Sequence, residues 1–538
     1  MEAKTPRGTG IFSGILVAVF VYLCYDFFMV NEENIDIIPE QFRPLFAAMN
    51  NRIVILTEEI NRLRREVFGS KSEAHVVGEV IHPKGCLFNE PEAILEEESE
   101  EAKSEQAVNP KSTRSPQSGG RKPLPENLPR TRVVCDLPES EKVCPHDGAS
   151  LVQIGERVVE TLHVEPIKAS VIQHVYPKYA CPCCKGHLAE TPALPVALPQ
   201  ASCDASTLAL ILSQKYAFGL PLYRLEQMFS QSGAEVSRTS MARWVIASAD
   251  VIGDVAFEIR KYIFDQSAAH ADETTVQVLK EPGKKAQSTS YMWVACSSKD
   301  AFPAVWFQYS PDRSGNSASS LIGKYSGILH IDGFAGYNSI IKSNGIKRVG
   351  CWAHVRRKFD VAKKDGAVSG KTLAGKFLDD IRDLFLLERE FEKLPPSEKI
   401  QLRKKQSGPL VQSIEKRLQE YREQVPPKSK LGDALTYLAG QWESLIVFLE
   451  RSEAEISNNR IENHIRPFAI GRKNWLFADT TKGADASAII YSVVCSAKAN
   501  GIDVHRYLTL LLTELPKLYA KNPRNPDLSP FLPWNFKH

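Results

Sequence analysis

What this 538-residue chain lacks narrows its class before anything it contains. It has no disulfide framework. Its 11 cysteines are scattered, and the one tight cluster is Cys181, Cys183 and Cys184, a pattern that suits a reducing compartment with one metal site. It has no strong excess of charge, since 67 basic against 64 acidic residues leave a formal +3, so net charge selects no partner. It has a single long apolar run, residues 11–30, interrupted by Asp26. That run has the length of a membrane span, and Lys4 and Arg7 precede it as in a signal peptide, but no small-residue cleavage site follows. Nothing downstream resembles a second span. Residues 1–35 are set apart as an atypical N-terminal segment, and no membrane partner is expected.

The chain is too long for one core, so about three to five folded units are expected. Met49, Ile53, Leu56, Ile60, Leu63 and Val67 recur in alternating steps of four and three. That heptad seam predicts a coiled-coil helix over 40–70 and hence a homo-oligomer, although packing within the same chain would give the same pattern. Residues 90–130 are rich in Glu, Ser, Pro, Lys and Gly and read as a charged linker. Residues 131–195 form a compact module with strand-like alternation in GERVVETLHVEP and ASVIQHVYPKYA. From 200 to 265 the pattern turns helical, punctuated by Gly219-Leu220-Pro221 and Gly233, with Ser237 placed to cap a third helix. This is compatible with a helix-turn-helix-like DNA-binding segment, and equally with any small helical bundle.

Between 268 and 350, TTVQVLK, SYMWVACS, PAVWFQYS and GILHIDG are four strand candidates separated by turn-rich segments. Residues 366–450 switch to long, charged, helical sequence. The expected fold class is multidomain α/β plus α: a mixed-sheet core over 266–480, interrupted by a helical insertion at 366–450. C-terminal helices and a tail follow at 481–538.

Three acids stand out in this frame: Asp272 in SAAHADETTVQV, Asp332 in GILHIDGFAGYN and Glu462 in SNNRIENHIRPFAIGRKNWLF. Each aspartate follows a short apolar or small run and precedes small or turn-forming residues, which places it at the end of a buried strand. Glu462 lies in helix-compatible sequence, 130 residues beyond Asp332. Three clustered carboxylates raise one another's proton affinity unless cations neutralise them. Their convergence would therefore imply a pair of Mg2+ (or Mn2+) ions and phosphodiester chemistry. Taken singly, each acid is ordinarily a cap or an ion-pair partner.

Other clusters have narrower readings. Cys144-Pro145-His146-Asp147-Gly148 and Cys181-Pro182-Cys183-Cys184 resemble two knuckles of a zinc ribbon about 37 residues apart. Cys144, Cys181 and Cys184 are the candidate zinc ligands, with His146 or Asp147 where a second cysteine of the first knuckle would stand. The alternative is a ribbon held by its strands without metal. In Cys351-Trp352-Ala353-His354, Cys351 and Trp352 are expected in the core. His354, Arg356, Arg357 and Lys358 are candidate phosphate contacts, with Arg466, Arg472 and Lys473 beyond the glutamate. Trp475 beside them is a candidate for stacking on a base. A solvated basic face has the same composition.

These words, in this order, resemble a bacterial transposase of the insertion sequence 66 family. The resemblance runs collinearly over roughly 40–515, from FGSKSE through the CPHDG…YACPCC ribbon and GLPLYRLEQMF…SRTSMARW. It continues through HADETTVQV, HIDGFAGYN, GCWAHVRRKF and SNNRIENHIRPFAIGRKNWLF to KANGIDVHRYL. It implies an RNase H-like core of the DDE type, with Asp272, Asp332 and Glu462 as catalytic, metal-binding residues. It also implies cleavage at the ends of an insertion sequence and joining of the freed 3′-hydroxyl to target DNA. The partners so implied are terminal inverted repeats, target DNA, further copies of the chain and accessory proteins encoded by the element. The compartment would be cytoplasmic, at the nucleoid. Two features depart from the family pattern: Asp147 stands where C-P-x-C is usual, and residues 1–35 are foreign to it. Two other classes of function are open at this point: a non-catalytic or domesticated DNA-binding protein derived from such an enzyme, and a protein tethered to a membrane through residues 11–30.

Overall fold

The computed structural model describes residue 52, the stretches 168–174, 178–180, 188–190 and 195–199, and then 201–366, 372–524 and 526–536. The heptad seam, the charged linker, the first cysteine knuckle and the apolar run at 11–30 lie outside the described residues. So do Cys181, Cys183 and Cys184. Among the described residues no helix is long and apolar enough to cross a membrane.

The chain divides into two compact units. The smaller comprises residues 81–192 and 226–237. In it, β1 (Lys178–Ala180) and β2 (Leu188–Glu190) pair antiparallel, with Tyr179 opposite Ala189.

The larger unit is built on a mixed sheet. It begins with α1 (Ala205–Tyr216), whose first turn is capped by the Asp204 carboxylate accepting from Thr207 N at 2.8 Å. Next come α2 (Leu222–Gln231), which crosses the division between the units, and the long α3 (Arg238–Phe264). The strands are β3 (Ala268–Lys280), β4 (Thr289–Ser297), β5 (Val305–Ser310), β6 (Ile328–His330) and β7 (Lys347–Val349). Short helices α4 (Gly315–Ile322) and α5 (Asn338–Asn344) flank β6. The sheet order is β5-β4-β3-β6-β7. β3, β4 and β5 are antiparallel neighbours, while β6 and β7 run parallel to β3.

Leaving β7, the chain forms α6 (Trp352–Gly366), α7 (Leu373–Glu390), α8 (Pro396–Leu402), a π-turn at Arg403–Ser407, α9 (Gly408–Tyr421) and α10 (Lys430–Leu445). These pack around a core that includes Trp352, Phe359, Phe377, Ile414, Leu438 and Phe448 and continues into Ala268, Ile328 and Val349 of the sheet. Burial of such side chains stabilises by about 1.5–3 kcal/mol each. Trp352 is fully buried, as its sequence context led us to expect, and its indole N–H donates to Leu445 O at 3.0 Å. Arg403 is also fully buried. It forms a two-point pair with Glu388 and donates to the carbonyls of Phe448, Arg451 and Ala454, which orders the loop returning to the sheet.

That loop leads into α11 (Asn459–Trp475), followed by β8 (Ala478–Thr480), α12 (Thr481–Ala499) and α13 (Val504–Lys521). β3 has a gap on the side away from β4. β6 pairs with residues 268–270 and β8 pairs in register at Val278 and Lys280. Two residues at opposite ends of the α11 segment reach carbonyls in that interval: Asn458 Nδ2 donates to Ala271 O at 3.1 Å, and Arg472 donates to Thr275 O. The outer edge of β5 is covered by α12, where Ser496 and Ser492 hydroxyls accept from Val305 and Phe307 N–H at 2.9 and 2.8 Å. Edge groups that would otherwise template aggregation are thus paired.

The expectation that Asp272 ends its strand is corrected. β3 is one 13-residue strand, and Asp272 lies near its middle, opposite Val294 of β4. Asp-Glu-Thr-Thr reads as a break by composition, but its backbone stays paired to β4 throughout, so tertiary pairing overrides local preference. Asp332 does fall where expected, two residues past the end of β6.

Candidate active site

The parallel pairing of β3 and β6 sets His270 opposite His330, so Asp272, still within β3, and Asp332, just past β6, each lie two residues beyond matched positions. Each aspartate is fixed by a local backbone bond. Asp272 Oδ1 accepts from Glu273 N at 2.8 Å, and Asp332 Oδ1 accepts from Phe334 N at 2.9 Å. Arg348 of β7 donates to Asp332 O at 2.8 Å and holds the loop itself.

Asp272, Glu273 and Asp332 form a carboxylate cluster in which one ligating oxygen from each lies within 4.8 Å of the others. Glu273 is the member that the sequence reading missed. Neighbours on a strand ordinarily point to opposite faces, and only the word ADET signalled two acids together. Its side chain is 2% exposed. Arg313 Nε donates to Oε1 at 2.6 Å and the Tyr337 hydroxyl to Oε2 at 3.0 Å. The Arg313 guanidinium also lies 3.9 Å from Asp332 Oδ2 and 3.9 Å from the Phe334 ring centroid. One cation therefore faces two of the three acids.

Glu462 enters from the first turn of α11. Its Oε2 accepts from Arg357 of α6, while Oε1 lies 3.7 Å from His354 Nε2 and is buried without a hydrogen-bond partner.

The electrostatics record the crowding. Burial holds the Asp272 carboxyl well above its usual range, reinforced by the charges of Glu273, Asp332 and Glu462. Burial likewise raises Glu273, with Arg313 opposing. His354 is lowered by burial and by the neighbouring Arg357 charge. A site that pays for unfavourable carboxylate burial in this way has the donor set and charge deficit of a divalent-cation site. Glu462 stands outside that three-acid cluster, with its Oε1 buried and unpartnered.

The candidate DNA contacts are dispersed. Arg356 is exposed and 3.9 Å from Asp360, and Lys358 Nζ lies 5.7 Å from the Tyr437 ring centroid. Arg357 pairs with Glu462, and Arg472 is tied to Thr274 and Thr275 of β3. Arg466 and Lys473 are exposed. Trp475 packs edge-on to Phe468 at 5.6 Å and carries the Lys215 ammonium 5.3 Å from its ring centroid. The candidate zinc ligands Cys144, His146, Asp147, Cys181 and Cys184 lie outside the described residues.

The model described as "Transposase IS66 family" matches residues 200–486, which include all four acids and every strand of the large sheet. The chain belongs to the IS66 transposase family. Two further models match upstream: a zinc-finger binding domain of transposase IS66 over 141–185, and one described as "Transposase C of IS166 homeodomain" over 55–133. The chain is also similar over most of its length to three uncharacterized proteins of Sinorhizobium fredii. To y4qI it is 31% identical over 514 residues, covering 91% of this chain and 90% of the relative. To y4hP it is 29% identical over 511 residues, covering 90% and 89%. To y4jD it is 26% identical over 518 residues, covering 93% and 98%. Family membership implies DNA as the partner.

Proposed function

We propose that this IS66-family member is an active DDE transposase that cuts the ends of its insertion sequence and joins them to target DNA. In this reading Asp272, Asp332 and Glu462 hold two Mg2+ (or Mn2+) ions in an RNase H-like core. The observation that carries it is the meeting of Asp272 and Asp332 within one 4.8 Å carboxylate cluster. Glu462, 130 residues further on, is close enough to raise the proton affinity of Asp272. A central long strand with antiparallel neighbours on one side and parallel ones on the other supports the core assignment.

When bound, the metal ions supply charge neutralisation at the phosphodiester and acidify the attacking water or 3′-hydroxyl. The protein's own part is positioning. Asp272 and Asp332 present fixed oxygens from adjacent strands. Arg357 holds one oxygen of Glu462 and leaves the other open. Arg313 restrains Glu273 and offers a cation beside the cluster. The hydroxyl displaces the leaving oxygen in line, without a covalent protein intermediate.

Arg356, Lys358, Arg466 and Lys473 are the proposed phosphate contacts, with His354, Arg357, Arg472 and Trp475 acting closer to the protein's own acids and core. Zinc is proposed at Cys144, Cys181 and Cys184 with His146 or Asp147. The coiled coil at 40–70 would join copies of the chain at the nucleoid, with accessory proteins of the element.

The test is incubation of purified protein with labelled element-end DNA and Mg2+ or Mn2+. Metal-dependent nicks at the element boundary are expected. Specific binding without nicks would instead support the non-catalytic reading.

A further inference from the structure

The separation in sequence between Asp332 and Glu462 raises the question of what sets Glu462 at the correct distance from the two aspartates. The connecting helices share a core with Ala268, Ile328 and Val349 of the sheet, and the side-chain bonds that tie the start of α11 to β3 lie beside it. A buried polar junction lies there. Asn458 immediately precedes α11 and is 1% exposed. Its Oδ1 lies 2.8 Å from His270 Nδ1, its Nδ2 donates to Ala271 O at 3.1 Å, and its N–H points at Cys351 Sγ at 3.1 Å. Because Nδ2 faces a carbonyl, the amide orientation is determined by the network itself.

The partners of Asn458 continue the junction. The rings of His270 and His330 stack with centroids 4.0 Å apart and 13° between planes. His330 Nδ1 donates to Ala269 O at 3.1 Å, which leaves Nε2 to accept from Glu455 N–H at 2.7 Å. Glu455 Oε1 lies 3.2 Å from His270 Nε2 and accepts from Arg460 Nε at 2.9 Å. Each histidine is two residues before a cluster aspartate, and Ala271 adjoins Asp272. Asn458 is four residues before Glu462, one helical turn away on the same face. Every strand or helix that delivers an acid is thus bonded to this one set of side chains.

We propose that Asn458 is a positioning residue: it sets Glu462 relative to Asp272, with His270, His330 and Glu455 completing the clamp. This rests on the metal-dependent reading of the site, and nothing in the family matches assigns these four residues a role. An apolar plug could fill the same volume, but it would not fix direction. Three hydrogen bonds from one side chain and its N–H fix both the height and the rotation of the first turn of α11.

Asn458→Asp tests it, because it keeps the shape and the oxygen facing His270 but sets an oxygen against Ala271 O. Full-length wild type and variant are compared in three measurements: melting without metal, Mn2+ binding by paramagnetic resonance, and end cleavage at saturating DNA. The expected result is a cooperative melt and unchanged DNA affinity, with Mn2+ affinity and the cleavage rate each reduced about ten- to hundredfold. If Asn458→Asp does not fold, His330→Gln, which retains an acceptor for Glu455 N–H, is expected to show the same split. Wild-type Mn2+ affinity and cleavage in a folded variant would overturn the proposal. So would a rate loss fully recovered by cooling, which marks a purely structural role. Wild type that binds Mn2+ but does not cleave would count against the transposase reading alone, since weakened Mn2+ binding by the variant would still support the clamp.

Discussion

Arg357 of α6 donates to one carboxylate oxygen of Glu462, and the other oxygen, Oε1, is buried with no hydrogen-bond partner. The pair is part-exposed, at 38% and 29%, so its direct contribution to stability is modest, about 0–1 kcal/mol. Its geometric effect is larger, since it holds Oε2 and leaves Oε1, 3.7 Å from His354 Nε2, without a hydrogen bond. Arg357→Ala is expected to melt close to wild type yet cleave element ends roughly tenfold more slowly or worse, with Arg357→Lys intermediate. A single-turnover cleavage assay decides. Full activity of Arg357→Ala would remove the orienting role.

The exposed basic residues make a different prediction. Arg356 and Arg466 are on the surface, and Arg466 follows Glu462 by one turn. If each neutralises a phosphate, its replacement by alanine lowers the slope of log affinity against log salt by about one unit. Arg357→Ala should leave the slope nearly unchanged, because its guanidinium is engaged with Glu462. Fluorescence anisotropy at several salt concentrations reads this, and equal slopes for all three variants would contradict the division.

Asp272 links charge to folding. Its carboxyl titrates well above its usual 3.8 in the folded protein, mainly through burial. Between those two values the native state holds a proton that the unfolded chain has lost. Metal-free stability therefore falls as pH rises through that window. Asp272→Asn should melt higher than wild type at neutral pH without metal, by about 2 °C or more, and should no longer gain stability from Mn2+. A lower melting temperature for metal-free Asp272→Asn would show that the negative charge is not a burden there.

Lys399 gives a pH test away from the acids. It is 4% exposed, and burial, with Arg403 and Lys299 nearby, holds its amine at about 8 rather than 10.5. The unfolded chain keeps its proton to higher pH than the native state, so this site costs stability below about pH 8, on the order of 3 kcal/mol at most. That cost disappears as pH rises toward 10.5. Lys399→Met should be the more stable protein at pH 7, with the advantage shrinking by pH 10. Denaturant melts at both values decide, and a pH-independent difference would exclude charge burial as the cause.

Much of the sheet was legible because its strands announce themselves. SYMWVACS and PAVWFQYS became β4 and β5, and GILHIDG holds β6. Trp352 was legible as core. Three features were not. The length of β3 was hidden by Asp-Glu-Thr-Thr, a polar break in composition that pairing to β4 keeps extended. Glu273 was hidden by strand alternation. The clamp was hidden because Asn458 has meaning only through His270, 188 positions away in sequence. Arg357, read from sequence as a phosphate contact, reaches Glu462, a pairing that sequence did not announce because α6 and the first turn of α11 are brought together by the intervening fold.

The central claim is that Asp272, Asp332 and Glu462 act together as the metal-dependent centre for cutting DNA. The most direct measurement is single-turnover cleavage of an element end in Mn2+ by wild type, Asp332→Ala and Glu462→Gln, with binding to the same DNA measured in parallel. The account predicts unchanged binding, cleavage by wild type that EDTA abolishes, and loss of about a thousandfold or more in both variants, equivalent to about 4 kcal/mol of barrier. Cleavage by Asp332→Ala or Glu462→Gln at the wild-type rate would contradict it.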